Sequence, residues 1–140
     1  MEVKFLQRNI FQRIFGIPVT PKFQNSDCWS FSGGKLTVDL KKVPELGKPG
    51  GAIRLEGGTL PQRVLVVHGE DKQYHVFRNR CTHMGHRRLD LVPGTNTVQC
   101  CSVGKSTYDF EGKNVHGPAP DPIHAYPASV EGDKLIATIS

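Results

Sequence analysis

The amino-acid sequence predicts an all-β fold, an antiparallel sandwich or small barrel carrying a two-loop binding subdomain, plus a short N-terminal helix. Three observations lead there. Fifteen glycines and ten prolines divide the 140 residues into short segments. From Lys35 the apolar residues recur with a period of two, as on a half-buried strand. Strands and helices do not alternate, which argues against a parallel sheet. At this length one domain is expected, over residues 34–140, preceded by a helix and irregular extension over 1–33.

In chain order, the pairs Phe5-Leu6, Ile10-Phe11 and Ile14-Phe15 are spaced near 3.6 residues and predict an amphipathic helix ending near Gly16 and Pro18. This helix either packs on the domain or a second subunit, or presents Lys4, Arg8 and Arg13 to a partner or a membrane surface. Residues 17–33 read as irregular, with Pro18, Pro21 and Gly33-Gly34 as turn residues. Strands are expected at 36–40, 52–56, 63–67, 74–77, 128–130 and 134–139. The run 63–67 is apolar at Val64, Leu65, Val66 and Val67, as in a strand buried on both faces. Turn residues at 69–71 and 131–133 make hairpins of the flanking strands.

The formal charge of +5 implies a basic surface suited to acidic partners. Lys and Arg are scattered, so nucleic-acid binding is not expected. No segment reaches transmembrane length, and Gln7, Arg8, Asn9, Gln12 and Arg13 interrupt any apolar leader. Three of the four cysteines cluster, unlike a secreted disulfide framework, so a reducing cytoplasm is expected. No nucleophile elbow, phosphate loop or facial triad appears, and the chain does not read as an enzyme on its own.

The stretch 81–109 concentrates the soft donors in two arms. The first holds Cys81, His83, Gly85 and His86, and the second holds Cys100, Cys101, Gly104, Lys105, Tyr108 and Asp109. Thiolate and imidazole together suit iron–sulfur, zinc or copper. These arms resemble the Rieske family, whose patterns are C-x-H-x-G and C-P-x-H-G-x-x-[FY]-D, and the resemblance covers about residues 36–140. It implies a [2Fe–2S] cluster, with Cys81 and His83 as first-arm ligands. Without a gap, Cys101 takes the second cysteine position and Gly104 the second histidine; with one inserted residue, Cys100 and Val103 take those places. The ungapped alignment is preferred, and neither supplies the histidine. His86 is the leading substitute, so the expected ligands are Cys81, His83, His86 and Cys101. A set of Cys81, Cys100 and Cys101 with one histidine is the variant. His116 and protonated Lys105 are weaker options. His86 and Val103 stand where some high-potential members carry a disulfide tie, so the resemblance is to ferredoxin and oxygenase-type members. Gly117 to Pro120 is similar to the family's proline-rich loop.

Two functions follow from the resemblance. One is a one-electron carrier, serving a separate and acidic redox partner through a rim of Arg78, Arg80, Arg87 and Arg88, as a component of an oxidoreductase. The other is a protein-binding module with zinc or no metal, acting through the N-terminal helix, which would also be the route to an oligomer. His68, His75, His124 and Cys28 read as structural residues.

Overall fold

The computed structural model describes residues 28–57, 59–80, 88–92, 94–101, 105–117 and 121–139. Twelve strands run through them: β1 (Trp29–Ser32), β2 (Lys35–Asp39), β3 (Ala52–Leu55), β4 (Val64–His68), β5 (Tyr74–Arg78), β6 (Leu89–Val92), β7 (Thr97–Cys100), β8 (Thr107–Asp109), β9 (Asn114–His116), β10 (Ala125–Tyr126), β11 (Ala128–Glu131) and β12 (Lys134–Thr138). Two 3-10 turns, Leu40–Lys42 and Pro44–Leu46, lie between β2 and β3. The predicted N-terminal helix lies outside the described residues.

The strands form three antiparallel sheets of four, ordered β1-β2-β12-β11, β10-β5-β4-β3 and β6-β7-β8-β9. The second sheet is the middle layer, and β4 shows why. Successive side chains leave a strand on opposite faces. Val64 and Val66 join one core with Leu36, Val38, Ile53, Leu55 and Leu135. Leu65 and Val67 join the other, with Phe77, Leu89, Leu91, Val98 and Tyr108. Both faces of β4 are covered, so it reads as one apolar run, as the sequence predicts.

The two expected hairpins form. Gly69 donates its N–H to Gln73 O at 2.9 Å in the β4–β5 turn, and Lys134 pairs with Glu131 across the β11–β12 turn. Residues 29–32, read as irregular, instead make the edge strand β1, in register Trp29↔Val38. Trp29-Ser-Phe31-Ser does alternate, half-buried against exposed, but four residues ending at the Gly33-Gly34 turn are too short a run to outweigh the turn residues around them. The strands β6 to β9 had no sequence expectation. They are only three or four residues long, and although Leu89-Asp-Leu91 and Thr97-Val-Gln99-Cys alternate, runs that short do not stand out from loop sequence.

Candidate metal centre

The second arm begins where β7 ends. Cys100 pairs with Leu89 across the β6–β7 ladder, and its N–H donates to Ser106 O at 2.7 Å. The next N–H, that of Cys101, donates to Arg88 O at 3.1 Å. Both cysteines are buried, but they face different surroundings. Cys100 lies in the second core among Leu65, Phe77 and Val98. Cys101, just past the end of β7, belongs to neither core and lies within electrostatic reach of the Arg63 and Arg88 guanidinium groups.

Arg54, Arg63 and Arg88 gather at this end of the middle sheet around Glu56. Arg88 grips Glu56 with a two-pronged fork, Nε to Oε2 at 2.6 Å and Nη2 to Oε1 at 2.8 Å. Arg54 Nη1 reaches the same carboxylate at 2.8 Å. The fork from Arg88 holds the Glu56 carboxyl down to about 2, against the opposing effect of burial. Burial lowers the Arg63 guanidinium, and the charges of Arg88 and Arg80 push in the same direction. The strand register brings these residues together. The pairs Leu55↔Val64 and Val64↔Arg78 put Glu56, Arg63 and Asn79 on the next rung of the middle sheet. The Asn79 N–H donates to Arg63 O at 2.8 Å on that rung.

Asn79 also closes the neck of the first arm. It precedes Cys81 by two residues, and its Oδ1 accepts the Leu89 N–H at 2.6 Å, just beyond that arm. Its Nδ2 is buried without a hydrogen-bond partner among the described residues. Lys105 has a left-handed backbone, φ 53°. In the ungapped alignment this position carries the family's glycine, the residue that adopts such a conformation at least cost. Gly117, at the head of the proline-rich stretch, packs against the second arm. A Cβ there would lie 2.6 Å from Ser106 Cα.

Of the expected ligands, Cys100 and Cys101 are placed as above, while Cys81, His83 and His86 lie outside the described residues, as does Arg87 of the expected rim. Arg78, Arg80 and Arg88 are half-buried. The other histidines have structural surroundings. His68 Nδ1 is 2.9 Å from Leu46 O, His75 Nε2 is 2.8 Å from Asp71 Oδ2 and its ring lies on Phe110, and His124 lies against Tyr126. His116 is exposed on the edge strand β9, and Cys28 is in the first core. Sequence reasoning did not single out Arg54, Glu56, Arg63 or Asn79. For the first three no local signal exists; for Asn79 its place two residues before Cys81 is the only one.

The family model of the Rieske [2Fe-2S] domain matches residues 38–127. The chain is 28% identical over 102 residues to the glycine betaine monooxygenase oxygenase subunit of Pseudomonas aeruginosa, covering 73% of this chain and 21% of that protein. It thus spans about a fifth of the curated relatives it matches. Many solved structures share the fold. The ferredoxin of carbazole 1,9a-dioxygenase from Nocardioides aromaticivorans IC177 matches with TM-score 0.55 and 19% identity, covering 74% of this chain and 95% of that one. A chain in the complex of reduced oxygenase and oxidized ferredoxin in carbazole 1,9a-dioxygenase matches with TM-score 0.59 and 13% identity, over 76% and 94%. The family's cofactor is a [2Fe–2S] cluster. A buried cysteine within electrostatic reach of guanidinium groups fits it, because cationic neighbours favour the thiolate that binds iron. Gly104 has no donor side chain, so another residue must complete the set.

Proposed function

Since the chain belongs to the Rieske [2Fe-2S] domain family, we propose that it is a one-electron carrier delivering to a separate redox partner or an oxidoreductase component. Cys81, His83, His86 and Cys101 hold the cluster in this reading. The observation that carries it is the divergence of the two adjacent cysteines. Cys100 belongs to the second apolar core, while Cys101 lies within electrostatic reach of Arg63 and Arg88. The bound cluster supplies reversible uptake of a single electron without making or breaking bonds to a substrate. The protein's part is to hold the donors and to guide docking. Asn79 fixes both ends of the first arm, and Ser106 and Arg88 fix the backbone of the second.

The rim of Arg78, Arg80, Arg87 and Arg88 favours an acidic partner. Glu56 offsets part of this charge at Arg88 but leaves an excess of cations. The likeness to an oxygenase subunit and to ferredoxin structures makes an oxygenase electron chain the fitting setting.

The test is purification without oxygen, followed by visible absorption, paramagnetic resonance of the reduced protein, and iron, sulfide and zinc assays. Two irons and two sulfides with a Rieske-type spectrum are expected. A spectrum of the plant-ferredoxin type would move Cys100 into the ligand set. A colourless, iron-free protein from iron-replete cells would overturn the carrier and leave a zinc-bearing or metal-free binding module.

A further inference from the structure

We propose that the Glu56–Arg88 fork is a positioning device for Cys101 and the charge pair that sets the reduction potential of the centre Cys101 holds. This rests on the carrier reading above. Arg88 acts at both ends. Its carbonyl oxygen takes the Cys101 N–H at 3.1 Å, and its guanidinium is clamped at 2.6 and 2.8 Å by Glu56, which follows β3 of the middle sheet. The backbone of the second arm is therefore tied through one residue to a different sheet. A two-pronged arginine–carboxylate contact fixes orientation as well as distance. Arg54 Nη1 holds the same Oε2 of Glu56 at 2.8 Å and so restrains the carboxylate further.

The same fork places charge where an added electron is felt. Arg88 and Arg63 both interact with Cys101, and a cation close to a thiolate-bound centre stabilises the reduced state. Glu56 opposes them, and it is ionised at neutral pH because its carboxyl is held at about 2. The two members of the pair thus act on the potential with opposite signs, whereas a purely structural latch has no sign.

The experiment compares Glu56→Gln, Arg88→Gln and Arg88→Lys with the wild type. The midpoint potential is measured on the loaded proteins, and amide hydrogen exchange at Cys101 on the iron-free proteins. The expected potentials are higher in Glu56→Gln, lower in Arg88→Gln, and close to wild type in Arg88→Lys, which keeps the charge. Exchange at Cys101 should rise roughly tenfold or more in both glutamine variants, because a local opening becomes easier. Potentials shifting in one direction for both glutamine variants, or not at all, would overturn the electrostatic role. Unchanged exchange would overturn the positioning role. If the wild-type protein binds no iron, the carrier reading and the potential-setting role both fall, and exchange still decides the positioning.

Discussion

At the scale of single residues, adjacency in sequence conceals a difference in role. Cys100 and Cys101 are neighbours, yet Cys100, the last residue of β7, joins the core, and Cys101, just past it, lies within reach of the arginine charges. Cys101→Ser should therefore abolish assembly of the cluster, and so should His86→Ala if His86 is the substitute ligand. Cys100→Ala should keep the spectrum and cost about 1–2 kcal/mol, as other small core truncations do. Iron content and urea unfolding separate these cases. Glu56 makes a second residue-scale prediction. Its carboxyl lies near 4.5 in the unfolded chain and about 2 in the fold. A depressed carboxyl stabilises the fold fully above the unfolded value and loses that contribution as pH falls from 4.5 toward 2. The loss is on the order of 2–3 kcal/mol, the smaller figure allowing for solvent around Arg88. Glu56→Gln should flatten the acid limb of a stability-against-pH curve, and an unchanged limb would contradict this.

At the scale of elements, short strands hold the second arm from several sides. Arg88 precedes β6, Ser106 precedes β8, and Gly117 follows β9, and each approaches the residues of the second arm. Gly117 has φ 96° and its missing Cβ would sit 2.6 Å from Ser106 Cα. Both the conformation and the space exclude a side chain there. Gly117→Ala should destabilise by about 2 kcal/mol or more and displace Ser106, whose carbonyl holds the Cys100 N–H. A thermal melt with a visible spectrum would show both effects together. A melt unchanged within a degree would argue against the close approach.

At the scale of the whole molecule, one middle sheet serves two cores. Ile53 belongs to the core shared with the β1-β2-β12-β11 sheet, and Leu65 to the core beneath the site. Each change to alanine should cost about 2–5 kcal/mol. Only Leu65→Ala should also reduce iron content, since only that core supports β6 to β8. Equal iron loss in both variants would show that the two cores do not act separately. The net charge of +5 gives the last prediction. Electron transfer to an acidic partner should slow as ionic strength rises, because the Debye length shrinks from about 10 Å at 0.1 M to about 3 Å at 1 M. A rate indifferent to salt would remove charge from the account of docking.

The sequence by itself determined the all-β class, six of the eight strands of the first two sheets and the family, because period-two alternation, turn residues and the cysteine–histidine spacing are local patterns. It also put both candidate cysteines at one place in the chain. Only the tertiary structure decided how those cysteines differ in their surroundings and which charges stand beside Cys101. Glu56 and Arg63 precede β4 while Arg88 follows β5, and no local pattern announces that the three meet. Strand register in the middle sheet is set by which side chains must be buried on both faces. It is this register that carries Glu56 and Arg63 to the rung below the site, where Arg88 meets them.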